Sequence, residues 1–215
     1  MRLTFNPESG ELSPLADDRP TASPIHEVNG KVFAPPAMSW RDVLLRPLRA
    51  SDYEYVQTAE TTGELAARWR FHGATPGPQE WVERTFAGVL AQYLVFTSPS
   101  APPIGIVTAY EAHFEHGHAK LAAARLAEDE RSPAMIVAVS LLIRHVFACW
   151  NLRKLYMDVP EYNLAQFESL IGRYFQEEGR LVDHVYFGGQ YWDQVTLALY
   201  RDAWPEIERR ILPEA

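Results

Sequence analysis

The stretch "YFQEEGRLVDHVYFGGQYWDQVTLALYRDAW", Tyr174 to Trp204, decides how the chain is read. Runs rich in Val, Tyr and Phe flank Gly188-Gly189, which predicts two strands joined by a glycine turn. Upstream, "NLAQFESLIGRYFQEEG" (163–179) has apolar residues at helical spacing, with Asn163 near a cap, and predicts an amphipathic helix. Before it, "LRKLYMDVP" (152–160) is a short run of the buried-strand type. After the block, "RDAWPEIERRI" (201–211) reads as a polar helical tail.

Further toward the N-terminus lies "DERSPAMIVAVSLLIRHVF" (129–147). Met135, Val139, Leu142 and Val146 recur at helical spacing, Ser132 is a good N-cap, and Pro133 suits a first helical position. "HAKLAAARLAE" (118–128) is Ala-rich, but it alternates and lies between turn signals, so a strand is expected. "YLVFTS" (93–98) and "IGIVTAYEAH" (104–113) are strands around the turn "PSAPP". "ATPGPQEWVERTFAGVLAQ" (74–92) predicts a turn and a helix. "GELAARWRFHG" (63–73) predicts a helix ending at Gly73. "VLLRPLRASDYEYVQTAE" (43–60) predicts a strand and a helix capped near Ser51 or Asp52. Residues 1–40 form an N-terminal arm, with a hairpin signalled by Asn29-Gly30 in "IHEVNGKVF"; residues 41–215 form the main domain. The mixed order implies an α+β (α/β) architecture, a mostly antiparallel sheet containing one parallel pair.

Composition narrows the class. The 215 residues suit one medium domain or a domain with an extension, and the hydrophobic fraction of 47% is that of an ordinary core. No apolar run is long enough for a bilayer, and the N-terminus lacks the order of a secretion signal. Cys149 is the single cysteine, so no intrachain disulfide is available; a cytoplasmic setting without membrane contact is expected. Its place in "VFACW" points to packing rather than catalysis. The formal net charge of −8 weighs against a nucleic-acid surface and fits either an amine substrate or a plain acidic surface.

The element order, with "LRPLRASDYEYV", "PIGIVTAYE", "LRKLYMDVPEYNLAQFESL" and the 174–204 block in it, resembles the GNAT superfamily of N-acyltransferases, in particular its RimJ/RimL-like branch. The resemblance runs from Leu44 to Trp204. It implies a splayed parallel strand pair holding the pantetheine arm of acetyl-CoA or another acyl-CoA, with the pyrophosphate on the N-terminus of the following helix. It also implies a small-molecule or peptide amine as acceptor and is compatible with a homodimer. Arg131, Ser132, Ala134 and Met135 fall at the pyrophosphate position, Arg125 and Leu126 where a backbone N–H polarises the thioester carbonyl, and Asn163 at a cofactor-contacting Asn. The chain departs from the family's glycine-rich loop: its two glycine positions are Arg131 and Pro133, and proline offers no N–H. The usual general-acid Tyr position is Leu170. A guanidinium at Arg131 compensates in one reading; in the other, Ser132-Pro133 only caps a helix.

For a base, Glu111 and His113 in "YEAHFEHGH" share a strand face if alternation holds. His113, His116 and His118 also raise a metal site, but without a fixed fourth ligand none is expected. Trp69, Arg70, Phe71 and His72 lie where the resemblance places the roof of the acceptor site, and His184 and Tyr186 on strands that line it. Taken singly, Trp69 and Phe71 are better read as core anchors. Two other functions stay open: a non-CoA donor such as aminoacyl-tRNA, and a non-catalytic GNAT-like binding protein.

Overall fold

The computed structural model describes residues 38–98, 100–126, 133–165, 167–168 and 170–213, with four short strands nearer the N-terminus. Two compact units divide at Pro35 and Pro36. In the first, β1 (Leu3–Phe5) pairs antiparallel with β2 (Leu12–Pro14), and β3 (His26–Val28) with β4 (Lys31–Phe33). Val28 opposite Lys31 leaves a two-residue connection, the spacing that the Asn29-Gly30 signal requires. Asn29 and Gly30 themselves lie outside the described residues, and the β1–β2 pair is additional to the sequence expectation.

The second unit contains, in chain order, β5 (Ser39–Trp40), β6 (Val43–Pro47), α1 (Tyr53–Thr61), α2 (Gly63–Arg68), α3 (Pro78–Phe86), β7 (Val89–Phe96), β8 (Gly105–His113) and β9 (His118–Arg125). There follow α4 (Ala134–Cys149), β10 (Lys154–Pro160), α5 (Glu161–Leu164), β11 (Gln176–Phe187), β12 (Gln190–Tyr200) and α6 (Trp204–Ile211). The eight strands form one sheet in the order β11-β12-β10-β9-β8-β7-β6-β5. Every neighbouring pair is antiparallel except β9 with β10, which is parallel.

Strand alternation sends successive side chains to opposite faces and so builds two cores. On one face Ile106, Leu94 and Phe96 meet Val56, Phe71 and Trp81 from the α1–α3 segment. On the other, Val107, Ala109, Leu155 and Leu197 meet Leu141, Leu142 and Val146 of α4. Each such leucine contributes about 1.5–3 kcal/mol by leaving water. Gly105 lets α4 sit close to the sheet at its start: a Cβ there would collide with Met135 Sδ and stand 2.9 Å from the Ala124 carbonyl oxygen.

Four sequence expectations need correction. The helix expected within 74–92 ends at Phe86, and Val89 to Gln92 belong to β7. The expected helix over 163–179 is the short α5, which starts at Glu161 with Pro160 as its N-cap and ends at Leu164, so Asn163 lies inside it rather than capping it. Turns follow, because Gly172 adopts φ +76° and its N–H bonds to the Phe175 carbonyl instead of continuing a helix. β11 then begins at Gln176, so Gly179 lies in a strand. The expected helix over 63–73 stops at Arg68, with His72 and Gly73 both at positive φ. At α4, Pro133 is the N-cap and the helix starts at Ala134, one residue later than expected. No helix among the described residues is long and apolar enough to cross a membrane.

Candidate active site

The parallel pairing of β9 with β10 is short. His118, Ala119 and Lys120 face Lys154, Leu155 and Tyr156, and there it stops. Beyond it β9 stays with β8 as far as Arg125, while β10 stays with β12 as far as Pro160, so the two strands part. Backbone groups alternate in direction along a strand. The Leu126 N–H donates to the Ile104 carbonyl on the β8 side at 2.9 Å. The N–H and C=O of Ala123 and Arg125 therefore point the other way, into the gap. This corrects the carbonyl-polarising role expected of Leu126, whose N–H is already committed.

The gap opens into a cleft of about 1490 Å³ that reaches both faces of the sheet. Arg125, Leu126, Met135 and Asn163 all line it. Ala134 is buried at the first turn of α4. Arg131 and Ser132 lie outside the described residues. Leu170, where the general-acid Tyr is usual, lines the cleft, as does Tyr174, whose hydroxyl accepts from Arg210 Nη1 at 2.8 Å.

Where the strands part, Lys120 joins two carboxylates. Its Nζ lies 2.8 Å from Glu111 Oε2 and 3.1 Å from Asp158 Oδ2. The Thr196 hydroxyl donates to Asp158 Oδ1 at 2.8 Å, extending the chain of contacts to β12. Burial alone would lower the Lys120 ammonium, but the bonds to Glu111 and Asp158 outweigh it and hold it above the ordinary lysine value. Glu111 takes φ +46° in a bulge that sets Tyr110 opposite Lys120 and His113 opposite His118. Glu111 and Asp158 line the cleft; His113 does not. His113 instead joins His116 and His118, with ring centroids 4.9 to 6.3 Å apart and Glu115 Oε1 3.6 Å from His113 Nδ1. Among the described residues no group of three or more His, Cys, Asp and Glu is arranged to hold a metal ion.

The roof comes from α1 to α3. Glu60 is fully buried and accepts from Trp69 Nε1 and Trp81 Nε1, each at 2.8 Å, with Arg70 Nε 3.3 Å away. Arg70 also donates to the Thr85 carbonyl and to Gln92 Oε1, both at 2.8 Å. Burial pulls the Arg70 guanidinium below its ordinary value, opposed by the Glu60 charge. Trp69, Arg70 and His72 line the cleft, but the Trp69 indole and the Arg70 guanidinium are tied to protein partners. Phe71 is a core residue at 3% exposure, which corrects its expected role in holding substrate. His184 and Tyr186 are also corrected. Val185 between them lines the cleft, and alternation turns both neighbours outward; Tyr186 is 61% exposed and packs edge-on against Tyr191. Missed in the sequence were Glu60, Lys120 and Asp158; only Asp158, a charge within the apolar strand "LYMDVP", carried a signal.

No protein-family model matches the chain, and no curated protein matches it. Solved structures do. The spermidine N-acetyltransferase of Vibrio cholerae, in complex with CoA and spermine, gives a TM-score of 0.64 at 18% identity over 76% of this chain and 98% of its own. The fold is that of the GNAT N-acetyltransferases. A dodecameric form of the same enzyme gives 0.61 at 18% identity, over 76% of this chain and 96% of its own. A protein of T. thermophilus provisionally assigned as an acetyltransferase gives 0.61 at 20% identity, over 83% of this chain and 97% of its own. At such identities the likeness establishes the fold and nothing finer.

Proposed function

We propose that this chain is an N-acyltransferase that moves an acetyl or other acyl group from acyl-CoA to a primary amine by direct attack. The parting of β9 from β10 after three residue pairs carries the reading. It leaves Ala123 beyond the end of the β9–β10 ladder, on the strand that leads toward α4, which is the arrangement that an extended amide-bearing arm ending in a pyrophosphate needs. The co-substrate would lie along this gap, with Ala134, Met135, Arg131 and Ser132 toward its phosphates and Asn163 beside it. The fit is partial, since Pro133 brings no N–H to the phosphate side. A backbone N–H directed into the gap polarises the thioester carbonyl as charge develops on its oxygen.

Glu111 is the carboxylate we assign as base, since it borders the cleft where the strands part. It takes the ammonium proton, the free amine attacks the carbonyl carbon, and the thiolate leaves. Lys120 fixes the Glu111 and Asp158 carboxylates in place and is a positioning residue. Nothing observed favours an aminoacyl-tRNA donor. Thermal shift with acetyl-CoA and with free CoA tests the proposal: a rise in unfolding temperature with both is expected, and no rise at millimolar ligand refutes it. In the same assay Arg131→Ala should reduce the CoA shift; an unchanged shift removes Arg131 from the phosphate site.

A further inference from the structure

The gap between β9 and β10 is a slot through the sheet, and its two sides differ in chemistry. Strand alternation sets Thr108 and Tyr110 on the α1–α3 side with Ile106, and the Lys120 ion pairs hold Glu111 and Asp158 beside them. The cleft wall there is polar and acidic. The α4 side is different. Leu121 and Ala123 of β9 and Met157 and Val159 of β10 line the cleft there. Facing them is one stripe of α4, Ile136, Val139 and Ile143, and beyond it Phe167, Leu170 and Ile211. Val139, Met157, Phe167, Leu170 and Ile211 are each partly exposed, and Ile136 is 58% exposed, so this lining is open to a ligand. The two hydroxyls beside it are engaged within the protein: Ser140 donates to the Ile136 carbonyl and Tyr174 accepts from Arg210, both at 2.8 Å. Trp204 and Ile207 of α6, both buried, add further apolar wall.

We propose that this apolar compartment holds the hydrocarbon chain of the acyl donor, and that the preferred donor carries an acyl group of about six carbons rather than acetyl. The inference rests on the acyltransferase reading above and names the donor class of the same site. The cleft, at about 1490 Å³, exceeds the ~300–1,000 Å³ of an ordinary ligand site. The phosphate end lies at Met135, and at ~1.5 Å per residue Ile143 is about 12 Å further along α4, so the compartment lies inward of the phosphates. The amide-bearing arm needs polar partners and finds them on strand backbone in the slot. A chain of methylenes needs none and gains by leaving water. On the α1–α3 side it would lie against the Glu111 and Asp158 carboxylates, and on the α4 side against Val139, Met157 and Leu170. The thioester in the slot thus has its acyl chain on one side of the sheet and the attacking amine on the other. The transfer balances as before: the C–N bond forms, the C–S bond breaks, Glu111 takes the ammonium proton and CoA leaves as thiolate.

The experiment measures calorimetric Kd of the full chain for free CoA and for acetyl-, butyryl- and hexanoyl-CoA. Burying a methylene strengthens binding about threefold to fourfold, so Kd should fall along the series and be at least about tenfold lower for hexanoyl-CoA than for acetyl-CoA. Val139→Phe fills the compartment from α4 and should raise the hexanoyl-CoA Kd about tenfold, with the Kd values for acetyl-CoA and free CoA unchanged. Leu170→Trp should do the same from the opposite wall. Unchanged affinity for free CoA also shows that each variant is folded. Acetyl-CoA bound as tightly as hexanoyl-CoA overturns the proposal and leaves the acyltransferase reading standing, as do variants that weaken both thioesters alike. Failure of free CoA and of every thioester to bind overturns both.

Discussion

Lys120 and Lys154 lie on adjacent parallel strands, at opposite ends of the same three-residue ladder. Lys154 is at the closed end, with its side chain only 8% exposed. Its Nζ lies 2.6 Å from Glu178 Oε2, beneath the rings of Tyr156 and Tyr200. Both tyrosine hydroxyls donate to the same carboxylate. Lys120 is at the open end, where its two carboxylates face a cleft rather than aromatic rings. One chemistry thus serves two ends: the closed cluster ties β10, β11 and β12 together, and the open one holds charged oxygens at the wall of the cleft.

The largest expected effect is on the open side. Glu111→Gln should lower kcat by about 10²–10⁴, as loss of a general base does, with little change in unfolding temperature. A stability loss with kcat intact would reverse the assignment of the two ends. Lys154→Met should do the opposite. It strips the cation from the closed cluster and should cost about 1–3 kcal/mol in chemical denaturation, with kcat close to that of the parent.

The smallest effect is in pH. Burial, followed by the charges of His113, His116, Lys154 and Arg153, holds the His118 imidazole below 6.5; burial does the same to His145. An imidazole depressed in the folded state binds protons preferentially in the unfolded chain, so stability should fall as pH drops below 6.5. Glu178 behaves differently. Burial would raise it, but the bonds from Lys154, Tyr200 and Tyr156 outweigh that and bring it to about 2. Its contribution persists above 4.5 and is lost only as pH falls from there toward about 2. Unfolding midpoints followed downward from neutral pH should show two separate declines, and His118→Gln should flatten only the upper one.

Much of the fold was legible because strand runs and turn residues alternate cleanly from Val43 onward. The Ala-rich run at 118–128 was readable as a strand from its alternation and its place between turn signals, and it became β9, with the described strand ending at Arg125. What failed was governed by non-local choices. The 163–179 segment has helical spacing, yet Gly172 turns the chain and β12 recruits the end of the segment into β11. Glu60 looks like an ordinary charge on an amphipathic helix until the folded chain brings Trp69, Trp81 and Arg70 around it. Glu111 and Trp69 were singled out from residue type and place, and both line the cleft. Asp158 and Lys120 needed the register of three neighbouring strands, which no single segment encodes.

β11 is one of the two edge strands of the sheet, and nearly all of it is exposed. Its pairing to β12 slips between Glu177 and Gly179 and again between Leu181 and Val185, with Asp183 at φ +49° in the second interruption. A foreign strand seeking a straight row of donors and acceptors meets a kinked one instead, which is how exposed sheet borders resist runaway polymerisation. Val182, at 73% exposure, lies in this kink and not on a flat hydrophobic rail. The protein thereby keeps a long apolar-bearing border in water at low risk of forming fibres.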